Sequence, residues 1–271
     1  METLTLNNGL AMPMVGLGTW DLRGSECVKS VADALDMGYR MVDTAKMYGN
    51  EQEVGEGIRK SNVPREEIFV ATKIDYGCHT YSGTKKSLDD SLQKMGLDYL
   101  DLIMLHRPDS NISSMYHALE EAYRAGKVKA IGISNCDARW YKKLMQDCSV
   151  VPMVNQVEVH LLFQKWELQK MLQEHDTAME AWSPMGGPGC TKTVLGSDEV
   201  VEIAHSHQVT PAQVALRFLV QRGIAVIPKS RQEERRRQNL DLFSFSLTEA
   251  EMERLKTLDW NRTLHSWTDG L

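Results

Sequence analysis

Three side chains able to exchange or steer a proton fall at the ends of apolar runs, and a fourth lies just beyond the first of them. Met41-Val42 closes on Asp43, with Tyr48 in the stretch just after it; Phe69-Val70-Ala71-Thr72 closes on Lys73; Leu100 to Leu105 closes on His106. A phenol with a pKa near ~10 is a poor proton donor or acceptor at neutral pH, so tyrosine chemistry needs something that favours the phenolate. A lysine ammonium beside Tyr48 would do so, and Asp43 would keep that ammonium charged and in place. Bringing a tyrosine near neutrality takes about 2 to 3 pKa units, roughly 3 to 4 kcal/mol. One desolvated cation and a hydrogen bond from His106 are enough for that. Singly, each residue has a plainer role, Asp43 as a helix cap, Lys73 as a solvated strand end and His106 as a core histidine. The functional reading depends on their meeting at one place.

The elements that would bring them together alternate along the chain. Strand-like runs occupy 15–20, 41–43, 69–73, 100–106, 128–134, 151–158, 178–182 and 224–229, with helical periodicity at 25–37, 51–60, 81–95, 113–125, 138–147, 166–174, 199–207, 211–222, 233–240 and 248–257. Alternating strands and helices imply parallel pairing through crossovers. Eight such units in about 250 residues make a closed (β/α)8 TIM barrel, here as one domain spanning 1–271. An open doubly wound sheet would show Gly-x-Gly-x-x-Gly after its first strand. The first run instead reads Gly16-Leu17-Gly18-Thr19-Trp20-Asp21, without the third glycine. Asn7-Asn8-Gly9 between two short extended stretches predicts an N-terminal β-hairpin serving as a lid or a plug. Gly186-Gly187-Pro188-Gly189 marks 185–197 as an irregular, mobile loop. In a barrel, Asp43, Lys73, His106, Ser134, Asn135, Gln156, Trp182 and Lys229 all come to the mouth where barrel active sites lie.

Composition narrows the function. The 271 residues are 42% apolar and 25% charged, and the net charge of −6 gives no general attraction to nucleic acid or anionic membrane. The five cysteines include no CxxC pair, which argues against a disulfide framework or structural zinc and suits a reducing cytoplasm. The N-terminus lacks the pattern of a signal peptide, and no run of about 18 apolar residues occurs.

Asp43-Thr44-Ala45-x-x-Tyr48-Gly49-Asn50-Glu51, Thr72-Lys73, Leu105-His106-x-Pro108, Gly132-Ile133-Ser134-Asn135, Asn155-Gln156-Val157-Glu158 and Ile227-Pro228-Lys229-Ser230 together resemble the signature of the aldo-keto reductases, in order and across nearly the whole chain. The likeness is greatest to short-loop bacterial members such as the 2,5-diketogluconate reductases. It implies hydride transfer from NADPH to an aldehyde or ketone, with Tyr48 as general acid, Lys73 lowering its pKa, Asp43 pairing Lys73 and His106 orienting the carbonyl. No metal is implied, since the tyrosine proton and the histidine hydrogen bond stabilise the developing alkoxide. By the same resemblance Ser134, Asn135 and Gln156 hold the nicotinamide carboxamide, and Trp182 stacks on the ring. Lys229, Ser230 and Arg235 grip the 2′-phosphate, and Gln238 and Asn239 meet the adenine. Arg236 and Arg237 have no counterpart and read as a solvated helix face. A monomer is the family's default state.

The substrate side departs from many relatives. Arg107 stands where tryptophan is common, and Asp75 lies near another pocket position, so the pocket would favour hydroxylated or anionic carbonyl compounds unless both turn to solvent. Trp20 and Met47 would supply apolar wall. The tail after Trp260 is short, with Trp267 as its remaining large apolar group, which suggests an open mouth. Tyr81 with Lys85 and Tyr123 with Lys127 show the Tyr-x-x-x-Lys spacing of another oxidoreductase class, but without its glycine turn. His205-Ser206-His207 reads as a helix end rather than a metal site, and Cys136 as a buried thiol. A regulatory subunit that binds NADPH and turns over slowly is the alternative function.

Overall fold

The computed structural model describes residues 2–74 and 77–265, so Asp75 and Trp267 lie outside it. Strands β1 (Thr3–Thr5) and β2 (Ala11–Pro13) form the expected antiparallel hairpin. Its turn residues settle where it sits. The Asn7 amide donates to the Pro152 carbonyl and the Asn8 amide to the Lys129 carbonyl, and both acceptors lie just ahead of barrel strands. The hairpin is therefore a plug at the N-terminal end of the barrel, opposite the mouth, with Leu6 and Met12 buried.

Eight parallel strands follow in sequence order: β3 (Leu17–Gly18), β4 (Met41–Asp43), β5 (Phe69–Ile74), β6 (Leu102–Leu105), β7 (Ile131–Ser134), β8 (Val154–Glu158), β9 (Ala178–Trp182) and β10 (Ala225–Val226). A parallel bridge between Val15 and Val226 closes the ring. The seam is short because Pro228 has no N–H to extend the ladder, which is why the first and last strands fall short of 15–20 and 224–229. Gly18 is required there, since a Cβ would lie 2.6 Å from the Ile227 carbonyl oxygen. Strands β5, β6, β7 and β8 are buried throughout, which explains their near-continuous apolar character.

The outer layer is α1 (Gly24–Met37), α2 (Glu51–Lys60), α3 (Tyr81–Met95), α4 (Ile112–Arg124), α5 (Ala138–Met145), α6 (Trp166–Gln173), α7 (Thr191–Leu195), α8 (Asp198–His207), α9 (Pro211–Gln221), α10 (Glu233–Leu240) and α11 (Glu249–Lys256). Thr80, Asp137, Ser197, Thr210 and Thr248 cap their helices by accepting a backbone N–H, and Thr210 and Thr248 complete capping boxes with Gln213 and Glu251. The segment expected to be irregular contains α7, whose Val194 is fully buried against the body. His207 at the end of α8 pairs with Glu251 of α11 at 2.9 Å, a link between helices.

Helix α2 lies close to its neighbours because glycines face them. A Cβ on Gly55 would come 2.0 Å from the Met95 carbonyl oxygen, and one on Gly57 would come 2.8 Å from the Val28 carbonyl oxygen. Replacing glycine by alanine normally favours a helix by up to ~1 kcal/mol. Here the backbone of Met95 cannot yield cheaply, so Gly55→Ala should destabilise the protein by about 1–3 kcal/mol in denaturant unfolding, the reverse of the helix-propensity effect.

Candidate active site

Lys73 and Asp43 form the centre of the site. Alternation along β4 and β5 turns both side chains into the barrel, where each is 1% exposed. The Lys73 Nζ lies 2.7 Å from both Asp43 carboxylate oxygens and 2.9 Å from the Thr44 carbonyl. Burial opposes the ammonium charge, but Asp43, then Tyr48 and Glu180, more than offset it, so the Lys73 pKa is raised and the side chain stays charged.

Tyr48 ends a short 3₁₀ turn, Lys46–Tyr48, closed by Gly49 in the left-handed region at φ 66°. That loop is pinned beneath by Asn50, which is fully buried. Its amide donates to the Thr19 and Leu22 carbonyls at 2.9 and 3.0 Å, while the Thr44 hydroxyl donates to its carbonyl oxygen at 2.8 Å. The result places the Tyr48 ring 5.3 Å from Lys73 Nζ and 5.8 Å from the His106 ring, edge to face. Burial, the Lys73 charge and the Arg107 charge push His106 down from 6.5 to about 2. His106 is therefore a neutral imidazole throughout the physiological range, able to donate a hydrogen bond without carrying charge.

The next three strand ends are joined by hydrogen bonds. Ser134 donates to the Gln156 backbone carbonyl at 2.8 Å, the Asn135 amide to the His106 carbonyl at 2.9 Å, and the Trp182 indole to Asn135 Oδ1 at 2.9 Å. Asn135 adopts φ 59°, a left-handed conformation that asparagine tolerates better than most residues. Gln156 reaches across the barrel, donating to Asp43 Oδ2 at 3.0 Å and to Glu180 Oε2 at 2.7 Å. Ser134, Asn135, Gln156 and Trp182 are thus brought to one wall, adjoining Asp43, Tyr48, Lys73 and His106. Trp20 and Met47 stand on the rim, 48% and 45% exposed. Arg107 is also exposed, though close enough for its charge to bear on His106.

After β10 the basic segment turns into α10. Lys229 is partly exposed, Ser230 and Asn239 are buried, Gln238 is partly buried and Arg235 is exposed. Arg231 is drawn off to Asp21 and Glu26, at 3.1 and 2.9 Å. The expectation for Arg236 is corrected. It is 3% exposed and donates to the Ser230 and Arg231 carbonyls at 3.2 and 2.9 Å, with Asp33 of α1 at 3.4 Å. Its place on the inner face of α10, packed against α1, turns it away from water, whereas Arg237 is exposed as expected. Arg236 shapes the loop from below.

Sequence reasoning missed two more features. Glu180 is fully buried among the central polar groups, although it lies two residues before Trp182 on the same strand. The tail also returns to the mouth, where the Leu264 N–H donates to Glu158 at 3.0 Å and the His265 ring lies 5.2 Å from Trp182. The mouth is less open than the short tail suggests. Cys136 is buried, and burial raises its pKa, consistent with an inert thiol.

A ring of strand ends that gathers Asp, Tyr, Lys and His at the mouth of a (β/α)8 barrel defines a class. Residues 14–259 match the family model of the Aldo/keto reductase family, and the chain belongs to that family of oxidoreductases. It is 38% identical to a glyoxal reductase of Bacillus subtilis, covering 95% of this chain and 93% of that one. It is likewise 38% identical to 2,5-diketo-D-gluconic acid reductase B of a Corynebacterium species, covering 97% and 95%. Among solved structures, an aldo-keto reductase from a Medee basin deep-sea metagenome library superposes with a TM-score of 0.96 at 39% identity, covering 99% of each chain.

The His106 shift has a measurable consequence. Its folded pKa is depressed, so its contribution to stability is present above the unfolded value near 6.5 and is lost as pH falls towards about 2. At pH 4.5 the loss should be about 2–3 kcal/mol relative to pH 7. His106→Asn should remove that part of the acid dependence, read as a flatter unfolding free energy between pH 7 and 4.5 than in wild type.

Proposed function

We propose that the chain reduces an aldehyde or ketone to the alcohol with NADPH, Tyr48 acting as general acid. The observation that carries this reading is the buried Lys73 ammonium, bound to both oxygens of Asp43 and 5.3 Å from the Tyr48 ring. When bound, the nicotinamide supplies the hydride. Tyr48 gives its proton to the carbonyl oxygen, and the fixed positive charge of Lys73 stabilises the phenolate left behind. Neutral His106 donates a hydrogen bond that orients the carbonyl and meets the charge developing on its oxygen. No metal enters this chemistry.

The chain's donor set suits the cofactor. Gln156 has both amide hydrogens committed to carboxyl groups, leaving its oxygen to accept from the nicotinamide carboxamide, which Ser134 and Asn135 also hold. Trp182, anchored by Asn135, offers a flat face for the ring. Lys229, Ser230 and Arg235 take the 2′-phosphate, and Gln238 and Asn239 the adenine, on a loop braced by Arg236. Trp20 and Met47 provide apolar wall, and Arg107 favours hydroxylated or anionic substrates, in keeping with α-dicarbonyl and keto-sugar compounds such as those named for the relatives. We further assign a monomer working in the cytoplasm; no described helix is long and apolar enough to cross a membrane.

NADPH consumption against aldehydes, α-dicarbonyls and keto-sugar acids tests the activity. Wild type should reduce at least one of them, and Tyr48→Phe should lose about 10²–10⁴-fold in kcat while still binding NADPH, detected by quenching of tryptophan fluorescence. NADPH binding without turnover by wild type would instead indicate a cofactor-reporting regulatory subunit. Arg235→Gln should raise the KM for NADPH about tenfold and leave that for NADH nearly unchanged, because one charge-assisted phosphate contact is removed.

A further inference from the structure

Glu180 has no part in the steps above, yet it is the most deeply buried acid of the site. It lies on β9 directly opposite Gln156 of β8 in the parallel register and has no measurable exposure. The Gln156 amide nitrogen lies 3.0 Å from Asp43 Oδ2 and 2.7 Å from Glu180 Oε2. A primary amide nitrogen has two hydrogens, so these two acceptors occupy both. Reversing the amide would set its oxygen against the Asp43 carboxylate and give up the hydrogen bond that Glu180 accepts.

Resting on the reductase reading, we propose that Glu180 is a positioning residue: it holds the second amide hydrogen of Gln156, so that the amide oxygen faces the cofactor's carboxamide, and it places a second carboxyl group beside the Asp43–Lys73 pair. Asp43 alone opposes reversal of the amide but holds one hydrogen only, which leaves the amide plane free to tilt about its terminal bond. With Glu180 both acceptors must be broken together, which preorganises the acceptor before the cofactor arrives.

The second carboxyl also gives the centre a pH dependence. The groups that face Glu180 are Asp43 of β4, Lys73 of β5 and the Gln156 amide; its partner on β10, Ala225, carries no charge. Burial and then the Asp43 charge push Glu180 up to about 8, while Gln156 and Lys73 pull the other way. Below that pH the group is neutral, and the Lys73 field is shared between Asp43 and Tyr48. Above it, a second negative charge draws on the same ammonium, and the Tyr48 phenolate is less well stabilised.

Two variants separate these roles. Glu180→Gln keeps an acceptor for Gln156 but cannot ionise, whereas Glu180→Leu removes the acceptor. NADPH affinity would be read by tryptophan fluorescence, and kcat for glyoxal reduction followed from pH 6 to 10. In Glu180→Gln the alkaline limb of kcat should move to lower pH by about half a unit or more, since the phenolate no longer meets the extra negative charge. In Glu180→Leu the NADPH Kd should rise at least about tenfold, and by more than in Glu180→Gln. An unmoved or alkaline-shifted limb, or a folded Glu180→Leu that binds NADPH as wild type does, overturns the proposal. If Glu180→Leu does not fold, the pH profile of Glu180→Gln decides. If wild type binds NADPH but does not reduce glyoxal, the profile is run on a carbonyl that it does reduce. If it reduces none, the reductase reading fails, and the affinity comparison still tests the orientation of Gln156.

Discussion

The structure around the mouth depends on one buried ion pair. Taking Lys73 and Asp43 out of water costs several kcal/mol per ion, and their attraction offsets this only with good geometry and further hydrogen bonds. Both conditions are met: the ammonium touches both carboxylate oxygens and the Thr44 carbonyl, while the carboxylate also accepts from Gln156. Such a pair is weak evidence for stability, since well-packed apolar residues commonly do as well. Its value lies in the field it fixes. In the proposed reaction, a charge held by packing on two adjacent strands needs no reorganisation when a proton leaves the nearby phenol.

The surroundings follow from that constraint. Asp43 must end β4 pointing inward, so Thr44 turns its carbonyl to the lysine and its hydroxyl to Asn50, and Asn50 in turn ties down the loop bearing Tyr48. The same ammonium helps hold His106 neutral, so the site carries a localised cation beside an uncharged donor. An imidazolium there would meet both the cost of burial and repulsion from the ammonium, and the neutral ring avoids both.

The strand ends were legible in the sequence because they obey a period: an apolar run closing on a polar residue, repeated about once per βα unit. That reading gathered Asp43, Lys73, His106, Ser134, Asn135, Gln156 and Trp182 at one mouth, where the structure has them, and the roles proposed for them come from the family resemblance. Contacts across the barrel were less legible. Nothing local to Ala178–Trp182 shows that Glu180 meets a glutamine that also bonds Asp43, since that contact depends on the register of β8 against β9 and on the barrel closing. Arg236 failed for another reason. It stands three and four residues before buried Asn239 and half-buried Leu240, the spacing of one helix face, but a charged residue between Arg235 and Arg237 carries no local sign of the loop carbonyls that bury it. The position of the hairpin likewise depends on bonds to Pro152 and Lys129 that no turn motif encodes.

In the proposed reductase the two ends of the cofactor cleft use different physics. At the nicotinamide end, groups are buried or half-buried and hydrogen-bonded to one another, so they define orientation and are little affected by salt. At the phosphate end, Arg235 is exposed and Lys229 only partly covered, and such charges give affinity that added salt weakens. The protein limits the positive charge there. Asp21 and Glu26 engage Arg231, and Asp21 also approaches Lys229 to 4.0 Å, which ties the loop after β3 to the loop after β10 across the barrel seam. Arg236 then secures that second loop from the inside through its backbone carbonyls. On the proposed reading, phosphate recognition depends on a loop shape held by a buried cation as well as on the cations at its surface, a way for an acidic chain to maintain a local anion site.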